Sequence, residues 1–412
     1  SAMTFALGVS TGAHAAAATP AVQLQPATRA AIDLAPVFDL TVVGAGPVAL
    51  AIDVTDPGDI VIENADPITE VDPYGATAIR GYSDDGTVGI SNAATGTLQV
   101  SSLYGDAIGI YGYSATGDVS IDNAADLTAV SEYGLADGIF ASGADVAVTN
   151  SGDIVAASAY GSWAAGIEAQ GSGTTAIDNS GDVTAFAAYG QAFGLYATGA
   201  DVTVVNDGTV IAQGYLATGV EVQSSGDLSV INGGDIIAGM AYSSALASGI
   251  NAVSNGEGAA VAVSSDGLVV AQGYYGATGI GATASGQGGT ASVSNSGDVY
   301  ALQANKYGYG AYGISVSADS DAGVDNGGLV VASSAGAATA VAALAFAGDA
   351  HVVNSGDIEA TSIASVQYGA TGIVAFGANG SATVENSGSV TATAAGVLYS
   401  QARAIDAQAL GD

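Results

Sequence analysis

No cysteine occurs among the 412 residues, so neither disulfides nor thiolate metal sites are available and stability must come from elsewhere. Basic residues are nearly as scarce: four Lys and Arg stand against 39 Asp and Glu, a formal net charge of −35. Arg29, Arg80, Lys306 and Arg403 are scattered and form no patch. That excludes nucleic-acid binding by phosphate neutralisation and disfavours an anionic membrane surface. His14 and His351 are the only histidines, too few and too isolated for a Ser-His-Asp triad or a histidine metal site. No run reaches about 18 consecutive apolar residues, so no transmembrane helix is expected. All seven prolines fall within the first 73 residues. Proline cannot donate to an interior β-ladder, so the irregular start of the fold lies there.

What the chain does have is glycine, 61 residues, and a 49% apolar content too high for disorder. It also repeats. An Asn mark recurs at Asn64, Asn92, Asn123, Asn150, Asn179, Asn206 and Asn232. Ser265 takes the same place in a degenerate copy, and Asn295, Asn326, Asn354 and Asn386 follow. The spacing is 26 to 33 residues, a solenoid period. About ten residues after most marks stands a tyrosine, usually followed by glycine: Tyr74, Tyr104, Tyr133, Tyr160, Tyr189, Tyr215, Tyr242 and Tyr275, with Tyr307 and Tyr368 displaced by a few positions.

Within each repeat apolar residues alternate, which marks strand rather than helix. Val146, Val148 and Asn150 share a face, as do Val202, Val204 and Asn206; if the valines point inward, so does the Asn. After the Gly-Asp turn the inward face resumes at Ile154 and Ala156. A third strand follows the tyrosine corner, with Ile139, Ile167 and Leu195 inward and Phe140, Glu168 and Tyr196 outward. Three short strands in about 29 residues make one coil, and parallel stacking places copies about 4.8 Å apart. The expected fold is all-β: a right-handed parallel β-helix of about 12 coils. Stacked inward amides can bond along the axis, which gives the Asn column a structural reason to recur. Gly two positions after each Asn suits a turn with positive φ.

Residues 1–37 are expected to be a signal-like leader and irregular N-terminal segment. Thr4–Ala15 offers a short apolar run and an Ala-x-Ala pattern but lacks a basic start. Residues 38–412 form the β-helix, with Phe38–Val43 beginning its cap. The chain stops at Gly411-Asp412 in mid-repeat, so the native chain is expected to continue or another chain to cover that end.

Chemistry is sparse. Asp84-Asp85 and Asp319-x-Asp321 are the nearest approach to paired acids, and solvated turns account for them. No catalytic residue and no cofactor is assigned, and an enzyme is not expected. Gly286-Gln287-Gly288-Gly289 lacks the strand-to-helix context of a phosphate loop. Asp153, Asp182, Asp235, Asp298 and Asp357 share one turn place in different coils. Their mutual repulsion makes them candidates for a divalent cation such as Ca²⁺. The better binding candidates are aromatic: corner residues Tyr133, Tyr160, Tyr189, Tyr215, Tyr242 and Tyr275, with outward Tyr111 and Tyr196. Aromatic faces stack on sugar rings and protein partners; the competing reading is a purely structural stack.

The Val-x-Val-x-Asn-Ser-Gly-Asp-Ile repeat, the adjoining Ala-x-Gly-Ile segment, the lack of cysteine and the acidic composition resemble passenger domains of type V autotransporters. The resemblance covers about 60 to 412. It implies a protein exported across a Gram-negative outer membrane to the cell surface or medium. It also implies a C-terminal membrane barrel in the full-length chain, which this sequence lacks. Many such passengers are adhesins. The expected function is therefore non-enzymatic attachment to a cell, a biofilm, or a glycan or protein partner. A self-assembling fibre or surface-layer subunit is the alternative, and a polysaccharide-acting enzyme the remote one.

Overall fold

The computed structural model describes residues 51–239, 244–363, 369–395 and 401–410, all within one compact unit spanning 45–412. The leader at 1–37, the strand expected at 38–43, His14, Tyr242 and Tyr368 lie outside the described residues.

Alternating apolar residues cannot bury a face alone, so each short strand recruits its copy from the next coil. In one coil the first strand is Val146–Asn150, the second Ile154–Ser158 and the third Trp163–Gly171. Each pairs in parallel with its successor: Asn150 with Asn179, Ile154 with Val183, Ile167 with Leu195. The result is a parallel β-solenoid of about 12 coils. Among the described residues every regular element is a strand, and no helix is long and apolar enough to cross a membrane.

The first strands form a sheet of 12, from Ile60–Asn64 to Ala382–Asn386. Second and third strands together make up one 23-stranded sheet. In two coils they run on without a break, as Val183–Gly199 and Val210–Ser224. Between those coils the register shifts, from Ala187 opposite Gly214 to Gln191 opposite Leu216. The corner is shorter by two residues, and the strand carries through it.

The interior is narrow and branched. Along the third strands one inward column runs from Ile79 through Ile167 and Val220 to Ile373, each fully buried. Glycine precedes most of these positions because there is no room for more. A Cβ on Gly166 would meet Val183 Cγ1 at 2.1 Å and the Gly194 carbonyl at 2.6 Å.

Close approach also corrects the expectation for the turn glycines. Positive φ occurs, among the described glycines, only at Gly75, Gly239, Gly258, Gly288 and Gly310, none of them two residues after an Asn. A Cβ on Gly152 would stand 2.1 Å from the Ala125 carbonyl oxygen, and one on Gly181 2.1 Å from that of Gly152. Glycine is needed there because consecutive coils touch, not because the backbone is left-handed.

Candidate functional site: the outer aromatic and acidic faces

The buried Asn column is structural. Asn150 Nδ2 donates to Asn179 Oδ1 and to the Gly152 carbonyl, both at 2.8 Å. Asn64, Asn92, Asn123, Asn179 and Asn206 continue the same ladder to Asn232. A second ladder links Asn295, Asn326, Asn354 and Asn386. Most of these amides bond both the next coil and the carbonyl two residues on in their own turn.

Four of the five aspartates expected to attract a cation accept a backbone amide of the next coil. Asp153 Oδ1 accepts the Asp182 amide at 3.2 Å and Asp182 Oδ1 that of Thr209 at 2.9 Å. Asp235 does the same for Leu268, and Asp298 for Leu329; Asp357 is exposed at its turn. A parallel set on another corner includes Asp59, Asp145 and Asp349, which accept the amides of Thr87, Thr174 and Ser381. Those bonds hold the three carboxyls below their ordinary range. No group of three or more His, Cys, Asp or Glu able to hold a metal forms among the described residues. The paired acids noted in the sequence also cap turns or face water: Asp319 accepts Gly288 N and Asp321 accepts Asp349 N, while Asp84 and Asp85 are exposed.

At the tyrosine corner the side chains stack. Tyr74, Tyr104, Tyr133, Tyr160 and Tyr189 form a continuous pile with ring centroids 5.3 to 6.1 Å apart and planes within 29°. Each is still 51 to 81% exposed. The backbone beneath explains this. Ser131 and Ser158 end the second strands, and their hydroxyls donate at 2.8 Å to the Gly105 and Gly134 carbonyls. Corner after corner is thus fixed in line, and the tyrosine two residues on meets its copy. Tyr215 and Tyr275 are exposed as well, at 52% and 40%. The rings stack along the axis, so each interior ring has a neighbour on both sides.

Tyr111 and Tyr196 stand elsewhere, on the outer face of the third strands. One row there reads Asp53, Arg80, Tyr111, Phe140, Glu168, Tyr196, Glu221, Asn251 along the axis. Tyr111 stacks on Phe140 at 5.1 Å. Arg80 pairs with Asp53 at 3.2 Å and lies over the rings of Tyr82 and Tyr111 at 5.5 and 5.8 Å.

Three coils on, the same row carries acids to which the sequence pattern assigns no role. Glu168 and Glu221 point outward, yet only 7% and 8% of their surface is exposed, and Asp137, also outward, is 4% exposed. Glu168 Oε2 accepts from Trp163 Nε1 at 3.1 Å, and Oε1 accepts from Gln170 Nε2. Glu221 accepts from Asn251 Nδ2 at 3.0 Å and from Gln223 Nε2 at 3.2 Å. Asp137 Oδ1 is buried without a hydrogen-bond partner. Burial pushes all three carboxyls upward, and Asp137 is raised well above the carboxylate range with Glu168 as the next cause. Trp163, Phe193 and Tyr196 pack around them with centroids 4.6 to 5.6 Å apart.

Compared with known proteins, the chain matches no family model, no curated protein and no solved structure.

Proposed function

We propose that this chain is a non-enzymatic attachment module, an exported passenger that adheres to a cell surface or matrix through its lateral faces. The observation that carries this reading is the pile of five tyrosines from Tyr74 to Tyr189, half or more exposed despite their mutual contact. A solenoid needs no aromatic on its outer corner to fill its core. Repeated in consecutive coils, the ring edges and hydroxyls give a periodic row of identical weak contacts. Such a row gains affinity by engaging a repetitive partner at several points at once. The repeat resemblance to autotransporter passengers and the absence of a basic patch support display outside the cell, against a glycan or protein rather than a nucleic acid or membrane.

The test is retention of chain-coated beads on cells and on glycan arrays. With Tyr104, Tyr133 and Tyr160 replaced by alanine and the β circular-dichroism signal intact, retention falls at least tenfold. Unchanged retention overturns the reading.

A fibre or surface-layer role has its own observation. On the outer face of the first sheet, Ala262, Ser264, Ser292 and Gly323 floor a trough of about 420 Å³ between Ile231 and Val353. Small side chains there would let a second copy lie close. Concentration-dependent growth in light scattering after size exclusion, abolished by Ser292→Arg, would favour assembly over attachment.

A further inference from the structure

The outer face of the third strands holds a cation of the chain's own in one place and the same kind of seat without one in another. Arg80 sits between the Asp53 carboxylate and the faces of Tyr82 and Tyr111, the pairing of opposite charge and ring quadrupole that holds organic cations. Farther along the row, Glu168 lies between Phe140 and Tyr196, and Glu221 between Tyr196 and Asn251. Asp137 joins them from the neighbouring outward row, beside Ala165. The donors serving this cluster are all neutral: the Trp163 indole N–H, side-chain amides and, at Asp137, the Ala165 backbone amide. Among the described residues the two ion pairs use Asp53 and Asp406 instead.

Buried acids with only neutral donors are costly, and such groups are retained where a charge partner completes them. Asp137 Oδ1 is the direct sign: a carboxyl oxygen shut from water and left without any donor. We infer that Asp137 and Glu168, walled by Trp163, Phe193 and Tyr196, form a binding site for an organic cation, an alkylammonium or guanidinium group.

Trp163 is the gate. Its N–H donates to Glu168 where a cationic N–H would do so more strongly. The indole is half-buried and stands at the first residue of its strand, directly after the Tyr160-Gly161-Ser162 corner. Ala165, the outward residue between Asp137 and Phe193 in register, is the smallest side chain of the three. The net charge of −35 draws cations toward this face. The site does not depend on the adhesive reading, since its ligand is a single head group and its residues are not those of the tyrosine pile.

Trp163 is also the only tryptophan, so its emission reports the site directly. The full chain is titrated at pH 7 with methylguanidinium and tetramethylammonium chlorides, ionic strength held constant against NaCl. A saturable change in Trp163 emission is expected, with half-saturation raised at least tenfold in Asp137→Asn and in Glu168→Gln. Trp163→Phe, followed by calorimetry, keeps a ring and removes the competing donor, so affinity holds or rises. A capped Gly-Arg-Gly peptide separates the sources: tighter binding than methylguanidinium identifies a partner's side chain, equal binding a free amine. The inference is overturned if neither cation saturates, if NaCl reproduces the change, or if both carboxyl variants bind like the parent.

Discussion

Asn232 Nδ2 meets the Ser265 hydroxyl at 3.3 Å, whereas every Asn-to-Asn step of the ladder measures 2.7 to 2.8 Å. On the far side of Ser265, Asn295 Oδ1 is buried with no partner. One serine therefore splits the amide ladder in two and leaves an acceptor stranded. Ser265→Asn is expected to supply the missing donor and stabilise the chain by about 1–2 kcal/mol, the cost of leaving a buried polar group unpaired. Thermal and denaturant midpoints should both rise. Asn179→Ala, within the intact run, is expected to cost about 2–4 kcal/mol, since it strands partners on both sides and leaves a cavity.

Glycine substitutions separate crowding from backbone conformation. A Cβ on Gly181 would stand only 2.1 Å from the Gly152 carbonyl oxygen, while the nearest atom to a Cβ on Gly323 is 4.0 Å away. Gly181→Ala must push two coils apart and should lower stability by about 3 kcal/mol or more, as overpacking at a backbone contact does. Gly323→Ala in the strand Ala322–Asn326 should be neutral or stabilising by about 0.5 kcal/mol. If both behave alike in denaturation, close approach is not why the turn glycines recur.

The coil was legible because its signals recur in sequence at the period of the structure. Asn150 shares parity with Val146 and Val148, and all three are buried; Tyr133 and Tyr160 follow their Asn by the same step and stack. The reason for glycine was misread because turn chemistry is local, whereas the Gly181 contact comes from the previous coil. The acid cluster was missed for a related reason. Asp137 and Glu168 are distant in sequence, and only the third-strand register sets them in neighbouring coils. A usable signal was there: counted from Gly138, Gly166, Gly194 and Gly219, the second residue onward is Phe140, Glu168, Tyr196 and Glu221, one outward row.

The tyrosine pile should couple energetically along the axis. Tyr160 touches both Tyr133 and Tyr189, at 5.3 and 5.8 Å, and such pairs contribute about 0.5–1.5 kcal/mol each. Tyr160→Ala is expected to cost about 1–2 kcal/mol. In a double-mutant cycle Tyr133 and Tyr160 should couple, whereas Tyr74 and Tyr189, with three rings between them, should add independently.

Stability should also depend on pH with opposite signs at two places. Asp137, Glu168 and Glu221 are raised in the folded chain, chiefly by burial. Folded protein therefore holds more protons than unfolded chain between the ordinary carboxyl range, about 4, and the raised folded values. In that window unfolding releases protons, so stability falls as pH rises and is recovered as pH drops toward 4. Asp59, Asp145 and Asp349 are lowered by the amides they accept, so their contribution is present above the ordinary range and lost as pH falls through the lowered values. The chain should consequently be more stable near pH 5 than near pH 8, and should weaken again in stronger acid. Asp137→Asn, Glu168→Gln and Glu221→Gln together should flatten the neutral limb of the denaturant-midpoint profile and leave the acid limb in place. A profile that rises steadily from pH 5 to pH 8 in the parent chain would show that the three carboxyls are ionised at little cost, with water reaching a face the fold holds closed.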